Sequence, residues 1–401
     1  MIEFDLSPEE LDVIKKAHEE SEKVIRPLAR YYDEHEHDSP DDLIKNMWNQ
    51  QLSGTGGGGM LGMGVGGALR IEEACWGDAG LMLTNPGSGL GGAAIMASGT
   101  NDQRMKFLSR FSEGNPKWGA MAMTEPGCGS DTSAIQTTAV RDGDFWILNG
   151  EKIFVTGGKR AAETPGGLVV VWATVDKSAG RAGMKPFVVE AGTPGMRVEK
   201  LEKKLGIRAS DTAAIVLENC RIPYENILGS AEVRDTSKGD TAGFRRAMAT
   251  FDATRPIIAA MALGVGRAAL DFVKEELDRQ GVRIRYGLPK SKLTAIERDV
   301  MDMESGYKAA KMLMMRAVWM MSQFQPNNLE ASMAKCKAGL AVTRITQKAV
   351  ELMGPMGYSR KWLLEKWMRD GKINDIFEGT GQINMLVVAR RVLGFSSREL
   401  R

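Results

Sequence analysis

Between residues 119 and 230 the chain changes texture, and that change constrains its architecture more than any other feature. "FWILNGEKIFVTGG" carries two short strand-like runs around an Asn-Gly turn. "GGLVVVWATV", "MKPFVVEA", "MRVEKL" and "AAIVLENCRIP" follow at short intervals, with turn residues between them. A small β domain is expected over 119–230. On both sides the apolar period is helical. Residues 5–37 read as one long helix opened by a capping box, Ser7 with Glu10, and 40–52 as a second. Residues 64–76 and 101–112 read as helices, and 80–98 as an apolar, glycine-rich stretch broken at Pro86. Helical periods then hold over 241–280, 290–324, 327–353 and 381–394. The expected class is α+β, with an N-terminal helical domain (1–118), a middle β domain (119–230) and a C-terminal helical bundle (231–401).

Bulk properties exclude several functions. Lys plus Arg number 53 and Asp plus Glu 51, a net of +2, which gives no case for nucleic acid or an anionic membrane. The apolar runs are short of a membrane span. The start, "MIEFDLSPEELDVIKKAHEE", is acidic and polar, unlike a secretory signal or an Arg-rich transit peptide, so a cytoplasmic location is expected. Cys75, Cys128, Cys220 and Cys336 are far apart and read as free thiols. All three histidines, at 18, 35 and 37, lie early. His35-Glu36-His37 reads as a solvated helix end, so no metal site is expected, and His-dependent nucleophilic catalysis is disfavoured.

The stretch 53–67 contains two overlapping GxGxxG matches, Gly57-Gly59-Gly62 and Gly62-Gly64-Gly67. A dinucleotide fingerprint needs a strand before it, and the lead-in "NMWNQQLSGT" is not one, so a loop running into a helix is expected. The 25 methionines concentrate in the C-terminal helices and read as core filling.

In "INDIFEGTGQIN" a single acid, Glu378, stands between Ile376-Phe377 and Gly379-Thr380-Gly381. Part of this is a helix start, with Thr380 as cap and bare N–H groups beyond it. A glutamate among apolar neighbours also has its pKa raised, which suits a general base. From this stretch alone the helix start is the favoured reading.

Taken in order, "MAMTEPGCGSDTSAIQTTA", "GIRASDT", "ATFDATRP" and "MRDGKINDIFEGTGQI" resemble the acyl-CoA dehydrogenase family over nearly the whole chain. The resemblance implies an N-terminal helical domain, a middle β-barrel-like domain and a C-terminal four-helix bundle, with FAD between the last two. It implies a homotetramer built as a dimer of dimers, an acyl-CoA substrate, and electron-transferring flavoprotein as partner. The implied reaction is α,β-dehydrogenation to a trans-2-enoyl-CoA, with Glu378 as the proton-abstracting base and flavin N5 as hydride acceptor. A branch of the family carries its base just before the Arg of the "TRP" motif; here that position is Thr254.

Other roles carry over one position at a time. Met121, Met123, Thr124, Gly129 and Ser130 match the flavin loop, Ser130 also lying near the CoA arm. Phe154, Val155 and Thr156 match a segment packed on the flavin, with Phe where Trp is common. Thr380 and Gln382 match further cofactor contacts. Asp252, Arg255 and Gly379 match the substrate side. Arg283, Tyr286 and Thr294, with Glu351 and Gly354, match contacts to the FAD of a neighbouring subunit. Thr294 stands where the family has Gln, and Glu351 and Pro355 depart from its Gln-x-x-Gly-Gly loop. These departures keep a half-site partner subunit of a heteromeric dehydrogenase as an alternative, beside an acyl-CoA oxidase of the same fold. The small residues of "GLMLTNPGSGLGGAAIM" suggest room for a bulky, branched or cyclic acyl group, unless they serve close helix packing.

Overall fold

In the computed structural model, residues 6–54, 64–233, 242–396 and 399–400 are described, with the backbone alone over 242–249. The chain opens with α1 (Pro8–Glu20), runs through one π-turn (Ser21–Ile25) and continues as α2 (Arg26–Glu34), so the expected long helix is present with a bulge in it. Its capping box is formed: Ser7 N donates to Glu10 Oε2 at 2.9 Å, and Glu10 N to Ser7 Oγ at 3.2 Å. Next come α3 (Asp41–Leu52), α4 (Val65–Met82), α5 (Gly89–Ser98) and α6 (Asn101–Leu108). Residues 55–63, with most of the glycine-rich stretch, lie outside the described residues; a helix, α3, precedes it rather than a strand.

The middle domain is a curled sheet of β1 (Gly119–Ala122), β2 (Thr138–Asp142), β3 (Phe145–Thr156), β4 (Leu168–Thr174), β5 (Met184–Glu190), β6 (Met196–Leu201) and β7 (Thr212–Pro223), with the short α7 (Gly158–Glu163) between β3 and β4. The order is β1-β4-β2-β3-β7-β6, with β5 on β4. One expectation fails here. Asn149-Gly150 is not a hairpin turn: β3 runs straight through it with a register shift opposite β7. Asn149 Oδ1 accepts from Asn219 N at 2.8 Å across that irregularity. Gly150 has φ 153, and a Cβ there would overlap Thr137. The hairpin turn lies instead at Gly143-Asp144, between Asp142 and its partner Phe145. A strand partner as long as β7 turned a hairpin signal into a bulge.

The last domain is a bundle of α8 (Ala242–Arg279), α9 (Ala295–Ser322), α10 (Asn328–Met353), the single-turn α11 (Pro355–Tyr358), α12 (Leu364–Lys372) and α13 (Gly381–Leu393). α10 packs on α8, α9 and α13, and α4 packs on α8, joining the two helical domains. The Thr250–Arg279 part of α8 is apolar and long enough to cross a membrane by composition, but 83% of its most apolar window is buried among the other helices. It is the core helix of the bundle.

Buried charges tie the domains together. Lys366 on α12 bonds both Asp78 on α4 and Asp370, and Asp370 accepts from Ile207 N of the β domain at 2.6 Å. Glu36 is not solvated as expected: it accepts from Lys204 N at 2.9 Å and pairs with Arg208 at 3.3 Å, clamping the loop after β6, while His35 and His37 stay exposed. Among the described residues no cluster of three or more His, Cys, Asp or Glu side chains has the geometry of a metal site.

Candidate active site

One large cavity, about 1460 Å³, opens where the sheet, α4–α5 and the bundle meet. Its β-domain wall is made by Met121, Met123, Thr124, Gly129, Ser130, Phe154 and Thr156. The second register shift of β3, between Lys152 and Val155, produces this wall. Phe154 takes φ 56 there and stands 60% exposed, while Val155 turns into the core at 1%. A bulge thus aims a bare aromatic ring at the cavity.

The loop after β1 is pinned from behind. Glu125 accepts from Lys152 Nζ at 2.7 Å, Gln136 N at 2.7 Å, Thr137 N at 3.0 Å and Thr137 Oγ1 at 2.5 Å. Burial pushes the Glu125 carboxyl up, but Lys152 and the Thr137 donors reverse this and hold it below the usual range. Burial brings Lys152 down to about 8 against the pull of Glu125. "TEPGCGS" is therefore no ordinary turn; a buried ion pair fixes the height of Thr124 over the cavity.

Opposite stands Glu378. The chain leaves α12 through one 3-10 turn (Ile373–Asp375), and Glu378 and Gly379 then take φ 57 and 89 before Thr380 caps α13 by accepting from Ile383 N at 3.2 Å. Both readings of this stretch hold: the Gly-Thr-Gly starts a helix, and the acid stands just ahead of it. Lys335 Nζ donates to Gly379 O at 2.6 Å, and Asn384 Nδ2 to the same oxygen at 2.9 Å and to Thr380 O at 3.0 Å. Lys335 is 1% exposed, and burial brings it down to about 8 although Asp375 and Glu378 favour its charge. Glu378 Oε2 accepts from Thr254 Oγ1 at 2.8 Å. Burial raises the Glu378 carboxyl above its ordinary value; the Thr254 bond, Arg255 and Lys335 oppose this without cancelling it.

Arg255, Gly379 and Thr380 line the cavity with Glu378. Asp252 stands behind this wall, holding Arg255 Nη1 at 3.0 Å and Asn328 Nδ2 at 2.7 Å. Gln382 is exposed and off the cavity, and Val155 can offer only backbone. Arg283, Tyr286, Thr294, Glu351 and Gly354 do not line this cavity. Tyr286 OH donates to Glu304 at 2.9 Å, Thr294 caps α9, and Glu351 pairs with Lys348 at 2.8 Å on the surface. Lys335 was missed in the sequence, although a lysine inside the apolar stripe Ala331–Ala334–Ala338–Val342 of α10 is a signal that it is partnered.

The glycines of 80–98 do not make room. A Cβ on Gly89 would meet Gly119 O at 2.6 Å, one on Gly91 Ala120 O at 2.7 Å, and one on Gly80 Asp78 Oδ1 at 3.1 Å. They let α5 pack closely on β1 and α4 on the loop at residues 207 and 209. What this segment shows the cavity includes Met82, Leu83, Pro86 and Leu90. α4 breaks at Asp78 (φ −165, ψ 122), whose Oδ1 accepts from Leu81 N at 2.8 Å, and so turns Met82 and Leu83 inward.

With this geometry in place the comparisons are decisive. Models of the acyl-CoA dehydrogenase N-terminal, middle and C-terminal domains match residues 7–115, 120–220 and 241–393. The chain belongs to the acyl-CoA dehydrogenase family. It is 35% identical over 383 residues to the mitochondrial short-chain specific acyl-CoA dehydrogenase of Rattus norvegicus, covering 93% of this chain and 87% of that one. Butyryl-CoA dehydrogenase from Megasphaera elsdenii superposes with a TM-score of 0.83 at 33% identity, over 98% of this chain and 100% of that one. A chain of the structure described as "Electron transferring flavoprotein of Acidaminococcus fermentans: Towards a mechanism of flavin-based electron bifurcation" gives 0.83 at 34%, over 98% and 100%. The enzyme is a flavoprotein oxidoreductase, and the residues suit FAD. Phe154 bares a ring, Thr124 and Thr156 line the same wall, and two buried polar atoms of lining residues, Thr212 Oγ1 and Arg255 Nε, have no partner among the described residues.

Proposed function

We propose that this chain dehydrogenates a short-chain acyl-CoA thioester between its α and β carbons, with Glu378 as the base. The observation that carries the reading is a carboxylate on the cavity wall, raised by burial and, among the described residues, held by a single hydroxyl. FAD, when bound against Phe154 and Thr156, supplies the acceptor for the hydride leaving the β-carbon. The protein's own residues do the rest. Glu378 takes the α-proton, for which its raised basicity fits it. The backbone N–H of Glu378, turned by its positive φ, stands ready for charge that develops on the thioester oxygen. Met82, Leu83, Leu90 and Met261 put apolar side chains on the cavity wall, which suits an acyl chain. The short-chain relatives support a short one.

Electron-transferring flavoprotein as acceptor and a homotetramer belong to this proposal. So does the placing of Arg283, Tyr286, Thr294, Glu351 and Gly354 on the FAD of a neighbouring subunit. Lys348 pairs with Glu351 at 2.8 Å and offsets its charge, which supports this placing, while the Thr294 hydroxyl caps α9. The test is a visible spectrum of the purified protein followed by anaerobic addition of butyryl-CoA, isovaleryl-CoA and octanoyl-CoA. A flavin band bleached fastest by butyryl-CoA, and persistent in Glu378→Gln, is expected. A protein that stays colourless with added FAD contradicts the reading and favours the partner-subunit alternative.

A further inference from the structure

We propose that Thr254 is a positioning residue for the base: its hydroxyl, reaching from α8, aims one oxygen of Glu378 and favours the ionised carboxylate. The inference rests on the reading of Glu378 as the base. Glu378 has φ 57, a left-handed backbone that a side-chain-bearing residue adopts only when its surroundings hold it there. The backbone end is held at Gly379 O by Lys335 and Asn384. At the side-chain end, the bond from Thr254 Oγ1 to Oε2, 2.8 Å, is the sole hydrogen bond to the carboxylate among the described residues.

A hydroxyl has one proton to give. The other acceptor near Thr254 Oγ1 is Phe251 O, which is farther, at 3.4 Å, and neutral. The proton therefore goes to the carboxylate, as a charge-assisted bond. Thr254 is 2% exposed, so water does not compete for it. Its grip leaves Oε1 without a donor, and Oε1 is the oxygen free to receive a substrate proton. The charged groups around Glu378 do not replace this contact. Arg255 on α8 turns Nη1 to Asp252 at 3.0 Å and to Ser332 at 3.4 Å, and makes no hydrogen bond to the Glu378 carboxylate. Lys335 on α10 donates to Gly379 O and makes no hydrogen bond to the carboxylate. Asp375, in the turn before, is held by Lys372 at 3.3 Å. Across the cavity Thr124, Phe154 and Thr156 are uncharged.

A donor to the ionised form lowers a carboxyl pKa, so removing it raises the pKa further. The experiment is a 13C NMR titration of holoenzyme labelled at glutamate Cδ, with Glu378→Gln assigning the resonance, repeated in Thr254→Val and Thr254→Ser. Thr254→Ala serves as the second variant should the valine disturb the fold. The midpoint of Glu378 is expected to rise by about one pH unit in the valine or alanine variant, and to return to within about 0.3 unit in the serine variant. The pH profile of flavin reduction should move by the same amount, while the Kd for a non-reducing acyl-CoA analogue stays within about twofold. A valine or alanine variant that titrates with the wild type overturns the inference, whatever its thermal stability. If Glu378→Gln itself reduces flavin at the wild-type rate, the base assignment fails first and this inference with it. If that variant is inert and Thr254→Val titrates normally, the role of Thr254 alone fails.

Discussion

One glutamate lines the cavity and another is buried behind its opposite wall, and the sequence treats them in opposite ways. Glu125 is given four N–H and O–H donors, one of them the buried ammonium of Lys152, and is held below the ordinary carboxylate range. Glu378 is given one hydroxyl among the described residues and is pushed above that range. Burial acts in the same direction on both; the number of donors decides the outcome. A fully satisfied carboxylate is a fastener, since it has no lone pair left to use. A nearly unsatisfied one is a reagent, at a cost in stability that the surrounding loop must carry.

The sharpest way to break this contrast is to neutralise each acid in turn. Glu378→Gln should slow flavin reduction by about 10²–10⁴-fold with the thermal midpoint unchanged or slightly raised, as stopped-flow and calorimetry would show. Glu125→Gln should do the reverse. It leaves the Lys152 ammonium buried without its partner and should destabilise the protein by about 3–5 kcal/mol in urea titrations, while the folded fraction still reduces its flavin. Equal losses of activity in the two variants would erase the distinction. A smaller effect is expected for Gly91→Ala, about 1–3 kcal/mol of stability with no change in acyl-chain preference. A shifted preference would show that the small residues size the pocket after all. Smallest is Phe154→Leu, which keeps an apolar side chain but loses the ring face. Weaker FAD binding by about 0.5–1.5 kcal/mol, measured by flavin fluorescence, is the expected result.

The two glutamates also differ in how legible they were. Glu378 announces itself, because an acid between Ile376-Phe377 and Gly-Thr-Gly is locally anomalous. Glu125 looks like any residue beside a Pro-Gly turn; its partner Lys152 is 27 positions away and meets it only because β3 passes beneath the loop. Local pattern gave the three-domain order for the same reason: helical and strand periods are short-range signals. It failed where long-range pairing decides. Asn149-Gly150 reads as a turn until β7 pairs along both sides of it. The glycines near residue 90 read as space until Gly119 and Ala120 are seen filling that space. Thr254 was marked only as a place without a base, and the fold sets its hydroxyl on the base itself.

The most direct test of the central claim is the pH dependence of the first turnover. Anaerobic reduction of the enzyme's flavin by butyryl-CoA would be followed by stopped flow at saturating substrate over the widest pH range the holoenzyme tolerates. Glu378 must be ionised to accept a proton, and its pKa in the folded protein is raised from 4.5. The rate should therefore climb as pH rises through a midpoint above 4.5 and then level, with Glu378→Gln low and flat throughout. A wild-type rate independent of pH, or a Gln variant that follows the same rising curve, would contradict Glu378 as the base.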